Sequence, residues 1–166
     1  PEIPRVVRLV QKWLRAGVSE DGEWSPTTVG TPQGAVISPL YANVFLHYVL
    51  DLWINDWRKR EAKGEVIMIR YADDFVIGFR EESDARKCLA ALKERFTKFG
   101  LELHPDKTRL IEFGRYAEER RAKRGDGSPE TFDFLGFTHI SGKTRRGDYT
   151  IHRKTSRKKF HAKLLE

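Results

Sequence analysis

Cysteine is nearly missing from this 166-residue chain, and Cys88 is the only one. No internal disulfide can form, so a disulfide-stapled fold is excluded. A single thiol with scattered histidines also gives no zinc-ligand spacing. A lone cysteine fits a reducing, cytoplasmic setting. No apolar run approaches the roughly 18 to 20 residues that a membrane-spanning helix needs. No signal peptide is recognisable, and the chain begins at Pro1 rather than Met, so it reads as a segment of something longer. It carries no Gly-rich phosphate loop of the Walker kind, no internal repeat and no low-complexity tract.

What remains is charged and globular in composition. Apolar residues make up 39% and charged residues 33%, in a length sufficient for one domain with a real core. The net charge of +7 is placed unevenly. Residues 1–114 hold 17 Lys/Arg and 17 Asp/Glu, whereas residues 115–166 hold 14 Lys/Arg against 7 Asp/Glu. The whole excess therefore lies in the last third, which points to a polyanion contacted by the C-terminal part. A solvated basic surface is the alternative, and the charge favours nucleic acid over it.

The periodicity predicts an α+β layer. Pro4 to Ala16 is an amphipathic helix with Val6, Val7, Leu9, Val10, Trp13 and Leu14 on one stripe and Gly17 as a stop. Asp21-Gly22 is a hairpin turn, with Trp24 on the returning arm. Gly30 to Ala35 is built for turns. Ser38-Pro39 then opens the longest helix, which is apolar on nearly all sides from Leu40 to Ile54 and so is expected to be buried. Asn43 and His47 on it read as buried hydrogen-bonding residues. Val66 to Arg70 and Phe75 to Phe79 are short, β-branched or aromatic, and read as a strand pair. Ser83 caps a second amphipathic helix that ends at Gly100, with Cys88 on its apolar face as a small core residue. Strands are expected at Leu101–Leu103, Arg109–Phe113, Phe132–Ile140 and Tyr149–Arg153. Residues 115–130 read as a charged loop or exposed helix. Thr155 to Glu166 begins another helix. The strands have short connections, so they should form one antiparallel sheet covered by the two long helices on one face.

The most informative stretch is Tyr71-Ala72-Asp73-Asp74, at the tip of the central strand pair. Two carboxylates side by side on a rigid turn repel each other and attract hard divalent cations. Mg²⁺ takes one or two carboxylates together with substrate phosphates, so the turn is a plausible half of a phosphoryl-transfer site. An Asp-Asp pair at a hairpin tip is also an ordinary solvated turn, and the tetrapeptide alone does not decide between the two.

Several blocks in order do decide. Residues 30–40 (GTPQGAVISPL), Ala42-Asn43 with Leu46-His47, Tyr71 to Phe75, Leu103 to Thr108, and Phe132 with Leu135-Gly136-Phe137 together resemble the reverse transcriptases of bacterial group II introns. The resemblance covers about residues 3 to 160. It implies a right-hand polymerase palm and the first part of a thumb. Residues 1–114 would be the palm core, 115–131 a charged insertion, 132–154 a palm hairpin and 155–166 the start of the thumb. It implies an RNA-directed DNA polymerase that uses Mg²⁺, with Mn²⁺ as a substitute, and takes an RNA template, a DNA primer and deoxynucleoside triphosphates. Intron RNA is a further implied partner, and no membrane is.

By resemblance, Asp73 and Asp74 are the metal ligands. Lys107 lies near the triphosphate as a charge-stabilising or proton-donating group. Gln33 and Gly34 flank the incoming nucleotide, although Ala35 stands where the family usually has a second Gly. Tyr71 packs under the primer terminus, and Leu135, Gly136 and Phe137 form a primer-gripping hairpin. Lys143, Arg145, Arg146, Arg153, Lys154, Arg157, Lys158 and Lys159 would face the template–primer backbone. The family's first metal-binding Asp and its fingers lie upstream of Pro1, so the isolated segment is expected to be inactive. Three rivals stand beside this reading. They are a maturase that binds intron RNA without needing its polymerase, another palm-type enzyme such as a nucleotide cyclase, and a remnant that only binds RNA. The Pro-Gln-Gly loop and the Leu-Gly-Phe hairpin argue against the cyclase.

Overall fold

This computed structural model describes residues 3–15, 18–20, 23–25 and 38–157. The chain divides into two compact units, residues 1–47 and 48–166.

In the first unit, α1 spans Ile3–Arg15 and β1 (Val18–Glu20) pairs antiparallel with β2 (Glu23–Ser25); the expected Asp21-Gly22 turn lies outside the described residues. A third element, α2, spans Ser38–Leu46. Trp13 and Tyr41 meet with ring centroids 6.3 Å apart. The α1 stripe is predicted correctly as a helix, but Val6, Val7, Leu9, Trp13 and Leu14 remain exposed.

The second unit begins at Tyr48, within a π-helical turn, His47–Asp51, that is followed by α3, Leu52–Arg60. The central hairpin is β3 (Val66–Tyr71) and β4 (Asp74–Phe79), paired antiparallel from Val66↔Phe79 to Tyr71↔Asp74. Strand alternation sends Val66, Met68, Arg70, Phe75, Ile77 and Phe79 to one face. Helix α4, Glu82–Lys98, covers that face together with the π turn and α3. Val49, Leu50, Leu92 and Phe96 form one buried cluster with Met68, Phe75, Leu101 and Leu103 against it. Ile54, Trp57, Val66 and Cys88 form the other, bordered by Ile77 and Phe79. Each such fully buried aliphatic or aromatic side chain contributes about 1.5–3 kcal/mol relative to exposure. The expected layer of helices on one sheet face is thus present here.

Three features of this packing follow from particular residues. Gly100, with φ of 68°, ends α4; its N–H donates to the Thr97 carbonyl and the Leu101 N–H to the Phe96 carbonyl. That pair of bonds is the Schellman arrangement, and it turns Leu101 back onto the core. Asp84, almost fully buried, accepts the Lys63 and Gly64 N–H groups at 2.7 and 3.0 Å and so pins the α3–β3 connection. Those bonds, Gly64's first, hold its pKa below the ordinary carboxylate value, against the opposing pull of burial. Arg95 of α4 donates to the Val49 carbonyl at 3.1 Å and the Tyr48 carbonyl at 3.4 Å, both in the π turn.

Past α4 the backbone turns at His104, whose carbonyl accepts from Lys107 and Thr108. Helix α5 spans Ala117–Arg124 and ends at Gly125, with φ of 78°. Strands β5 (Phe132–Phe134), β6 (Phe137–Lys143) and β7 (Tyr149–Thr155) form an antiparallel sheet in that order. Phe113 and His139 both pack on Phe132, at ring centroids 5.0 and 4.8 Å away. Residues 109–130 are tied by ion pairs: Arg109 with Glu130 at 2.7 Å, Arg121 with Glu130 at 3.8 Å, and Arg124 with Glu112 and Asp126.

Several expectations are corrected. The described strands form three sheets of two, two and three strands rather than one. Leu101–Leu103 and Arg109–Phe113 are not strands. Their apolar residues serve packing without a ladder: Leu101 and Leu103 reach the core and Phe113 reaches Phe132. Phe132–Ile140 is not one strand, because the chain reverses at Leu135-Gly136. Ser83 is not the cap of α4; the cap position is two residues earlier, at Glu81. The helical run from Leu40 is not buried all round. Leu40, Val44, Phe45, Tyr48 and Leu52 are each at least 43% exposed. His47 is exposed and Asn43 half-buried, its amide donating to the Pro39 carbonyl one turn back at 2.9 Å.

Candidate active site

The acidic turn is a two-residue loop, Ala72-Asp73, closed by the Tyr71↔Asp74 pair. Ala72 has φ of 53° while Asp73 does not share the positive φ, which is the signature of a II′ hairpin turn. Glycine is the usual residue at that first position; alanine holds it at a cost of about 1–3 kcal/mol. Such strain persists only where the surroundings over-determine it.

Alternation fixes where the functional side chains point. Tyr71 and Asp74 lie on the face opposite the helices, with Ile67, Ile69 and Val76, and Asp73 lies at the tip. Tyr71 is 67% exposed, and both Asp73 and Asp74 are exposed. The carboxylates are therefore available to a ligand arriving on the outer face. Among the described residues no group of three or more His, Cys, Asp or Glu side chains converges. Two adjacent exposed carboxylates suit one hard cation whose remaining positions are filled by water or phosphate.

Beneath the same turn lies a contact that the motifs do not announce. Arg70 faces the helices, and its Nε and Nη2 donate to the Asp51 carboxylate, each at 2.7 Å, in a bidentate pair. Its Nη1 donates to the Ala72 carbonyl, also at 2.7 Å. The Arg70 and Asp51 side chains are 13% and 29% exposed. The hydrogen bonds that it donates to Asp51 lift the arginine's pKa above its ordinary value against the opposing effect of burial. The signal for this pair was present: Asp51 is the only charged residue between Glu23 and Asp56, and an acid within an apolar helix needs a partner.

The remaining predicted site residues fall in three places. Lys107 is exposed in the turn that follows Leu103. Leu135 and Gly136, with φ of 51° and 81°, form a I′-type tip between β5 and β6, and β5 adjoins β4 of the acidic hairpin. Leu135 and Phe137 are nearly half exposed, and the Gly136 carbonyl accepts the Ser156 N–H at 3.0 Å. The basic residues do not share one face. Register puts Lys143 and Arg153 on one side of the β6–β7 pair and Lys154 on the other, with Arg145 and Arg146 in the connecting turn and Arg157 beyond β7. Lys143 is also paired with Glu118 at 2.9 Å. Gln33, Gly34, Lys158, Lys159 and most of the expected thumb helix lie outside the described residues. No helix among the described residues is long and apolar enough to cross a membrane.

Comparison with known proteins bears on this site. A protein of Schizosaccharomyces pombe named "Uncharacterized 91 kDa protein in cob intron" is 26% identical over 122 residues, 69% of this chain and 15% of that protein. The "Group II intron-encoded protein LtrA" of Lactococcus lactis subsp. cremoris is 44% identical over 43 residues, 26% of this chain and 7% of that protein. A "Putative COX1/OXI3 intron 1 protein" of Saccharomyces cerevisiae is 39% identical over 61 residues, 36% of this chain and 7% of that protein. The matched stretch thus spans 15% or less of each of these relatives. The sequence profile of the family described as "Reverse transcriptase (RNA-dependent DNA polymerase)" matches residues 2–139, so the acidic turn, Lys107 and the Leu135-Gly136 tip all fall within it, and the chain belongs to that family.

Proposed function

We propose that this chain is the palm segment of an intron-type RNA-directed DNA polymerase, with Asp73 and Asp74 as two of its metal ligands. The observation that carries the reading is the pair of exposed carboxylates on a strained two-residue turn, within a chain of the reverse transcriptase family. Bound Mg²⁺ would lower the pKa of a primer 3′-hydroxyl and neutralise a triphosphate. Asp73 and Asp74 would hold the ion, and Tyr71, their neighbour on the outer face, would support the primer terminus. Lys107 would stabilise charge on the triphosphate, with Gln33 and Gly34 beside the nucleotide. The Leu135-Gly136-Phe137 tip would grip the primer, its glycine allowing close backbone approach.

The substrates are an RNA template, a DNA primer and deoxynucleoside triphosphates. In this reading residues 1–114 are the palm core, 115–131 a charged insertion, 132–154 a palm hairpin and 155–166 the start of a thumb. The basic residues between Lys143 and Lys159 hold the backbone of the hybrid from more than one side. Each lost phosphate contact should then lower the slope of log affinity against log salt by roughly one unit.

The word "intron" in the relatives' names favours a second role, binding of intron RNA in splicing. One experiment separates the two. In the full-length protein that contains this segment, Asp73→Asn should abolish primer extension on an RNA template while leaving RNA affinity within about twofold. Undiminished extension by that variant overturns the polymerase assignment. If extension is lost but splicing persists, both roles stand and only one depends on the metal.

A further inference from the structure

We propose that Arg70, gripped by Asp51, is the positioning residue of the acidic turn: by holding the Ala72 carbonyl from the helix side it sets the direction in which Asp73 and Asp74 point. The consequence for metal binding rests on the reading of those carboxylates given above.

The geometry supports more than an ion pair that glues a hairpin to a helix. A guanidinium has donors on three nitrogens in a rigid fork, and here all three are engaged at 2.7 Å. Two bonds fix the plane of the group on Asp51, and the third reaches the backbone inside the turn. The bonded carbonyl belongs to Ala72, the non-glycine residue held at positive φ. A peptide whose carbonyl is fixed cannot rotate, and the peptide that follows Ala72 carries the Asp73 amide. Asp51 in turn closes the π turn, whose Tyr48 and Val49 carbonyls are bonded by Arg95 of α4. π turns recur at functional positions because they redirect a side chain without ending the helix. A continuous run of contacts thus leads from α4 through Asp51 and Arg70 to the acidic tip. Lysine substitutes only in part, since an ammonium is a point charge without the planar fork.

The test uses the 166-residue chain and Mn²⁺ alone, with free Mn²⁺ followed by electron paramagnetic resonance. Arg70→Gln removes a positive charge near the carboxylates. Electrostatics alone therefore demands tighter Mn²⁺ binding, whereas lost positioning demands weaker binding. We expect a loss of about tenfold, the usual scale for a group that orients a metal ligand. Asp51→Asn should weaken binding by the same factor within about twofold, and the double variant should be no worse than either, because both act through one contact. Arg70→Lys should fall between. Amide exchange at Asp73 and Asp74 should speed up about tenfold in each variant, with α4 unchanged. Tighter or unaltered Mn²⁺ binding in Arg70→Gln, with unaltered exchange at the turn, overturns the inference. Should the wild-type chain bind no Mn²⁺ while exchange at the turn responds as described, the positioning role holds and the metal assignment falls. Should the variants not fold, the wild-type chain still decides: a locked Arg70 shows slow rotation about its Nε–Cζ bond by nitrogen NMR, and free rotation overturns the claim.

Discussion

The single cysteine makes the hydrophobic core directly measurable. Cys88 sits in α4 with its side chain almost wholly excluded from water, in the cluster of Ile54, Trp57 and Val66. Burial pushes its thiol from the ordinary 9.0 up to about 12. The thiolate is the reactive form. At pH 8 an exposed thiol with the ordinary value is about one-tenth ionised, and one with a pKa of about 12 only about one part in ten thousand. Ionisation alone therefore slows reaction with a disulfide reagent such as Ellman's about a thousandfold, before the enclosing side chains block approach. The measured rate should be that of transient unfolding. It should rise with urea along the same curve as the fraction unfolded and reach the free-thiol rate once the chain is denatured. The pH dependence has a definite sign. The unfolded chain loses this proton first as pH rises, so stability should fall above about pH 9 and be fully present below it. Labelling in native buffer at a rate within about tenfold of a free thiol, independent of urea, would refute the packing of α4 on the hairpin.

Two further predictions concern other parts of the fold. Asp84 has a folded pKa below its ordinary 3.8, so its contribution is present above that value and lost as pH falls through the lower, folded one. Asp84→Asn should therefore flatten the acid limb of a urea-midpoint-against-pH curve below about pH 4, and an unchanged limb would show that its bonds to Lys63 and Gly64 do not stabilise the charged form. Leu135→Asn, at a left-handed position just before Gly136, creates the favoured Asn-Gly turn and should raise stability by about 1 kcal/mol in thermal unfolding, whereas a lowered Tm would show that the exposed leucine packs on something there.

Local pattern made much of this legible. The central hairpin is legible to within one residue at the turn, because β-branched and aromatic runs flank it, and α1 and the end of α4 at Gly100 follow from apolar spacing and a glycine stop. The acidic turn was found as a motif, but the residue that restrains it was not, because Arg70 and Asp51 are 19 residues apart and meet only after the helix docks. Leu101–Leu103 and Arg109–Phe113 read as strands because a short apolar pattern records which side chains are buried and not whether a neighbouring segment supplies a ladder. The break at Leu135-Gly136 is hidden by the apolar content of Phe132, Phe134, Leu135 and Phe137, which reads as one buried strand, although the three-residue step from Phe134 to Phe137 breaks strand alternation. The scattering of the basic residues over both sides of β6 and β7 follows from strand alternation, which a count of positive charges does not register.

The stretch from Arg109 to Glu130 carries a consequence for how binding to a polyanion would be measured. No strand pairing holds it, and carboxylate–guanidinium contacts span it instead. Concentrated electrolyte shields such exposed pairs, whereas the packed hairpin beneath α4 is indifferent to it. An affinity that collapses as electrolyte rises would then have two sources, counterion competition at the phosphates and a loosened Arg109–Glu130 stretch. Watching that stretch spectroscopically during the titration tells them apart.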